Sequence, residues 1–179
     1  MTGRRPVRPL MEHFNRRRTL HLQRILVLAA LLAALPRGAH SQERAVSLSV
    51  GARGYEGGAG TALVTSIRVE SPLSRIFLIE AGSSVADPVE GVLRSATTVF
   101  EAQAQARVPG ARVAPYVGIG AGYARIRSPT QPAQGKAVLS AGGGLRIAIR
   151  RQIGLVADAR FRVPEPHFDV TLGLRYRFD

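Results

Sequence analysis

Residues 168–178 read Phe-Asp-Val-Thr-Leu-Gly-Leu-Arg-Tyr-Arg-Phe, and their alternation decides how the rest of the chain is read. Phe168, Val170, Leu172, Leu174, Tyr176 and Phe178 fall on one parity, whereas Asp169, Thr171, Gly173, Arg175 and Arg177 fall on the other. Successive side chains of a β-strand point to opposite sides, so the segment predicts a strand with one oily and one wet face.

The pattern repeats upstream. Leu155, Ala157, Ala159, Phe161 and Val163 oppose Val156, Asp158, Arg160 and Arg162. Within residues 137–150, Leu139, Ala141, Leu145, Ile147 and Ile149 oppose Ser140, Arg146 and Arg150. Phe100, Ala102, Ala104, Ala106 and Val108 alternate with Glu101, Gln103, Gln105 and Arg107. Weaker versions lie at 45–55, with Val46, Leu48, Val50 and Ala52 against Ser47, Ser49 and Arg53, and at 61–70, with Leu63, Ile67 and Val69 against Ser66, Arg68 and Glu70. Residues 75–81 are a nearly continuous apolar run and the shortest candidate; Glu80 favours an inward set with Ile76 and Leu78. Residues 113–126 are glycine-rich, with Val113, Val117, Ile119 and Ala121 on one parity and Tyr116 on the other, which leaves the orientation open. Eight strands result, with no convincing long helical stripe after Gln42.

The joins alternate as well. Ser71-Pro72-Leu73, Pro109-Gly110 and Arg150-Arg151-Gln152 are tight breaks, whereas 56–60, 82–91, 128–135 and 164–167 are looser polar or proline-containing connections. Up-and-down antiparallel strands would gather the tight turns at one rim and the looser loops at the other.

The segment before the strands carries a different signal. Arg4, Arg5, Arg8, Arg16, Arg17, Arg18 and Arg24 precede the apolar run Ile25–Pro36, and Ala39-His40-Ser41 ends it with small residues. That order of charge, greasy core and small residues predicts a secretory signal peptide over 1–41, with Met11 an alternative start. The core is short of the roughly 20 apolar residues of a spanning helix. The leader holds eight arginines and one glutamate; the remaining 17 basic and 11 acidic residues carry a net +6 of the total +13. After the leader there is one lysine, Lys136, and no basic run longer than Arg150-Arg151, which argues against a nucleic-acid partner. The chain contains no cysteine, so no disulfide framework is implied.

An exported sheet with oily faces and no helical layer has a membrane solution. Unpaired strand edges cost several kcal/mol in hydrocarbon, so the sheet must close into a barrel. In a soluble sheet the oily face would be hidden; in a membrane barrel the polarity is inverted, and charge points inward. Gly118, Gly120, Gly122, Gly142 and Gly144 then share inward parities and leave room in a narrow interior for long arginines.

The stretches Pro115–Tyr123, Ala141–Arg146 and Gly173–Phe178 carry a resemblance to small outer-membrane β-barrels, the class of the transmembrane domain of outer-membrane protein A. It covers nearly all of residues 42–179. The resemblance implies an all-β, eight-stranded antiparallel up-and-down transmembrane β-barrel with short periplasmic turns. It also implies a bacterial outer-membrane location reached through the periplasm, and a monomer. The implied partners are phospholipid, lipopolysaccharide, periplasmic chaperones and the barrel assembly machinery. In that class a terminal aromatic residue belongs to the assembly signal, so Phe178 takes that part, although Asp179 follows it.

The charged parity has two readings. Glu80, Glu101, Asp158 and Asp169 can pair with Arg107, Arg146, Arg160, Arg162, Arg175 and Arg177 as an interior network. Alternatively, the arginine excess lines a narrow, anion-favouring passage. Tyr116, Tyr123, Tyr176 and Phe178 are candidate interfacial anchors. Catalysis has little to stand on. His167 is the single histidine after the leader and is read as a loop residue beside Glu165; Ser83 and Ser128 lack a matching motif. No zinc set exists, and Asp87, Glu90 and Glu165 do not have the spacing of a calcium loop. The Gly-x-Gly patterns lie in strands without the following helix that a nucleotide needs, so no cofactor is expected. The expected role is structural or one of surface interaction, with solute passage as the alternative and modification of lipid A as a more distant one.

Overall fold

The computed structural model describes residues 44–55, 60–91, 95–110, 112–128, 132–164 and 166–178. The segment 1–41, expected to be a signal peptide, and Glu165 and Asp179 lie outside them. Eight strands follow one another as β1 (Arg44–Tyr55), β2 (Gly60–Pro72), β3 (Phe77–Gly91), β4 (Ala96–Arg107), β5 (Val113–Arg127), β6 (Gln134–Ala148), β7 (Ile153–Val163) and β8 (His167–Phe178). Each pairs antiparallel with its chain neighbour, and β1 pairs with β8 from Arg44↔Phe178 to Tyr55↔His167. The sheet is therefore a closed barrel.

Closure removes every sheet edge, and side-chain polarity tells which solvent the wall meets. Ile119 is 71 % and Leu48 65 % exposed, and Leu139, Leu172 and Leu174 also stand outward. Arg53, Arg160, Arg162 and Asp169 are at most 1 % exposed and point inward. A wall of bare leucine, valine and isoleucine around a charged centre has the inverted polarity of a hydrocarbon-facing barrel. Among the described residues no helix is long and apolar enough to cross a membrane, and the regular elements are all strands.

The third strand departs from expectation. Residues 82–91 form no loop; they continue β3, which equals β5 and β6 as the longest strand at 15 residues. Gly82, Ser83, Ser84 and Pro88 read as breakers, yet beyond Ala86↔Thr97 the strand has outrun its β4 partner and pairs with β2 alone. Proline is tolerated there because one side has no ladder to interrupt, and a register shift at Thr61/Ala62 absorbs the irregularity. Ile76, expected inward beside Leu78, sits in the β2–β3 turn and is exposed; Leu78 and Glu80 are buried inside. The difference between the two sets of connections consequently shrinks. One rim, which also holds Arg44 and Phe178, carries the β2–β3, β4–β5 and β6–β7 ends, with 73–76 and 149–152; the other holds the strand ends Tyr55, Gly60, Gly91, Ala96, Arg127, Gln134, Val163 and His167. These are called the turn rim and the loop rim below.

β5 resolves its open orientation by the same solvent argument. Val113, Val117 and Ile119 face outward, so Tyr116 and the glycines of that parity face inward. At the turn between β4 and β5, Gly110 adopts φ +74°, which a side chain would strain. The inward glycines answer to crowding. A Cβ at Gly142 would stand 2.9 Å from Arg160 Cγ and 2.4 Å from the Ala159 carbonyl oxygen; one at Gly120 would stand 2.4 Å from Gln103 Cγ. The long interior side chains of β4 and β7 thus lie across a glycine floor on β5 and β6. Gly142→Val should cost the barrel about 1–3 kcal/mol through overpacking, read as a lower urea midpoint for loss of the compact, unheated gel form.

Candidate functional site: the barrel interior

Inward parity from all eight strands converges on three layers. Toward the loop rim two apolar clusters line the wall beside Thr97, Lys136 and His167: Ala62, Val64 and Ala86 pack with Tyr55, and Val99 packs with Ala124 and Val138. These residues share parities with Ser66, Glu101 and Ser140, so a face that is charged at mid-strand turns apolar near this end.

Below these clusters lies a connected ionic network. Arg53 clasps Asp169 through Nε at 2.6 Å and Nη2 at 2.9 Å. The second oxygen of Asp169 also accepts from Arg162 Nη1, and Arg162 in turn grips Glu101 through Nε at 3.0 Å and Nη2 at 2.9 Å. Glu101 accepts from Arg160 Nη1 as well, while Arg160 donates Nε to Asp158 at 2.7 Å and Nη2 to Glu80. Arg68 stands 3.4 Å from Asp158 and 3.7 Å from Glu80. Nearer the turn rim, Glu70 receives Arg146 Nε at 3.1 Å and Arg175 Nη2 at 2.8 Å. Arg146 also donates Nη2 to Gln105, Gln105 donates to Gln103 at 3.1 Å, and Gln103 donates to Ser140 at 3.0 Å. Six arginines and five carboxylates are joined in this way among the described residues.

The physics of such a network is two-sided. Removing an ion from water costs several kcal/mol, and good geometry with many hydrogen bonds returns that cost. Arginine suits the task because its planar fork offers five N–H groups and engages two carboxylates at once. Most of the pairings also tie one wall to another: β1 to β8, β7 to β4 and β3, β6 and β8 to β2.

Most of the expected charged residues occupy this layer, but the placements differ in detail. Glu80, Glu101, Arg146, Asp158, Arg160, Arg162, Asp169 and Arg175 are joined in it. Arg107 and Arg177 instead lie at the turn rim, where Arg107 Nε reaches the Arg75 carbonyl at 3.3 Å and Arg177 donates to the carbonyls of Arg150 and Arg151. Their strand parity is inward, but they lie past the last carboxylate. Arg53, Arg68 and Glu70 were legible as inward but not as partners, because a single strand's alternation does not show the register across the barrel.

Tyr116 is a correction. Expected among the interfacial aromatics, it is 4 % exposed, donates its hydroxyl to Asp158 and carries the Arg146 guanidinium 3.8 Å above its ring. Tyr123, Tyr176 and Phe178 point outward, the last two with rings edge to face at 5.1 Å. His167 is likewise no exposed loop residue: it opens β8, is buried, and lies 5.9 Å from the Tyr55 ring. Ser83 pairs with Ile67 and Phe100 on the outward parity, so the wall separates it from His167. Among the described residues no group of three His, Cys, Asp or Glu could hold a metal ion.

The third layer is an opening. At the turn rim the interior widens into a cavity of about 880 Å³, floored by Arg146 and Arg175.

A closed wall of eight antiparallel strands, bare hydrocarbon outside and paired ions inside, leaves one architecture. This is the fold of the small outer-membrane β-barrels. Solved structures with the same barrel include neisserial surface protein A, at TM-score 0.60 and 14 % identity, covering 79 % of this chain and all of that one. The N-terminal β-barrel domain of Pseudomonas aeruginosa OprF aligns at TM-score 0.57 and 16 % identity over 77 % of this chain and all of that domain. Ail, the attachment invasion locus protein of Yersinia pestis, aligns at 0.53 and 15 % over 76 % of this chain and 97 % of that one. No protein-family model matches the chain, and no curated protein matches it. The shared feature is therefore the outer-membrane barrel fold itself.

Proposed function

We propose that this chain is an integral outer-membrane barrel with a structural or surface-contact role, exported by its 1–41 leader and without catalytic activity. The observation that carries the reading is the filled interior: Arg53, Arg160, Arg162 and Asp169, each at most 1 % exposed, are cross-linked through the middle of the barrel. Small barrels of this strand number are usually filled by side chains. Its partners on this reading are membrane lipid, lipopolysaccharide and the assembly machinery. Arg125 and Arg127 support the lipid contact, because they stand outward on β5 at the loop rim, beyond the apolar band of Ile119 and Ala121. The names of two proteins with this fold, a surface protein and an attachment protein, lend the surface role further support.

Conductance separates this role from solute passage. The protein extracted from membranes and inserted into a planar bilayer should be nearly silent, with at most rare and small openings. Regular, long-lived conductance steps that scale with anion concentration would establish the passage instead.

A further inference from the structure

We propose that the turn-rim cavity is a blind anion-binding vestibule for a phosphate-class ligand. It is lined by Arg75, Arg107, Arg112, Arg146, Arg175 and Arg177, and by no acidic residue among those described. Glu70, the carboxylate held by Arg146 and Arg175, is 1 % exposed and lies behind them. The cavity therefore presents cations from two turns and three strands around about 880 Å³ of space. Ala114, Ala148 and Gly154 supply small walls that keep it open.

A second observation points inward from the floor. Arg146 is 5 % exposed, and Glu70 and Gln105 engage its Nε and Nη2, which fixes the guanidinium at the cavity floor. An ionised oxygen acceptor satisfies a guanidinium best. At the mouth, Arg75 and Arg112 stand in neighbouring turns and are exposed. Phosphate oxygens accept from several guanidinium forks at once, which suits a mouth lined by arginines from separate elements. Behind the cavity floor the ionic layer fills the interior, with Arg160 and Arg162 at most 1 % exposed, so the geometry favours holding an anion over conducting it. A soluble phosphate ester or diphosphate and the headgroup of an anionic phospholipid share this chemistry.

The test uses the protein expressed with its leader, extracted from membranes and placed in nanodiscs of zwitterionic lipid at low ionic strength. Calorimetric titration with sodium pyrophosphate should show saturable binding. Arg75→Gln with Arg112→Gln should weaken it by about tenfold, since two charge-assisted contacts are lost. Arg125→Gln with Arg127→Gln, outward at the other rim, should leave it unchanged. Repeating the wild-type titration in discs containing phosphatidylglycerol identifies the source: competition assigns the lipid headgroup, and unchanged affinity assigns the soluble anion. Absence of saturable binding, or equal loss in both double variants, overturns the proposal. Heat-dependent gel migration of the same samples reports the barrel independently, so failure of the vestibule and failure of the membrane-barrel reading are distinguishable.

Discussion

Arg160→Met should lower the unfolding free energy of the barrel by about 3–5 kcal/mol, the largest loss expected from an interior substitution. Arg160 is 1 % exposed and contacts Asp158, Glu80 and Glu101, so its removal leaves three buried carboxylates short of positive charge at one point. Methionine keeps much of the length, which confines the change to the charge and its hydrogen bonds. Urea titration of protein refolded in lipid vesicles, followed by the unheated gel shift, gives the midpoint. Arg125→Met, on the outward side at the rim, should move that midpoint little, by about 0.5 kcal/mol or less. Adding Glu80→Gln to Arg160→Met should restore part of the loss, because coupled neighbours do not behave additively. Equal effects at positions 160 and 125 would contradict the interior network.

The second large effect lies one side chain's thickness away, on the outside. Leu172→Arg should cost about 2–4 kcal/mol, the penalty for a cation at the bilayer midplane. Leu172 is 59 % exposed near the middle of β8, between Val50 and Ala157 on the neighbouring strands. Thr171→Val, at the adjacent inward position, keeps the shape and should change stability far less. The pair is diagnostic because water would reverse the first expectation: a soluble barrel accepts arginine at so exposed a position almost without cost. The same urea assay checks it, together with the yield of folded protein in the membrane fraction.

Legibility in the sequence followed the position of charge along each strand. β8, β7 and β4 were readable because Asp169 and Arg175, Asp158 to Arg162, and Glu101 interrupt the apolar residues at regular two-residue intervals. β3 was not, since Gly82, Ser84 and Pro88 are turn formers by local preference and become strand through the β2 ladder beside all three and the β4 ladder beside the first two. Tyr116 misled for a related reason: tyrosine has one oily and one polar end, and its preference for an interface gave way to a hydroxyl partner, Asp158, 42 residues later in the chain. The apolar clusters were hidden because Val64, Val99 and Val138 sit on parities defined elsewhere by charge. The arginine mouth was missed because its members come from separate turns, and alternation says nothing about what two turns place side by side.

The register between β1 and β8 has one more consequence. Seven of the eight ladders join strands that leave the ribosome one after another, so they can form as a growing ribbon, but the eighth matches the first residues of the wall with its last. Until Phe178 lies against Arg44, two raw margins of backbone face the lipid. Insertion and the final zipping of this seam must therefore be nearly one event, and whatever escorts the chain into the bilayer has to shelter both margins until they meet.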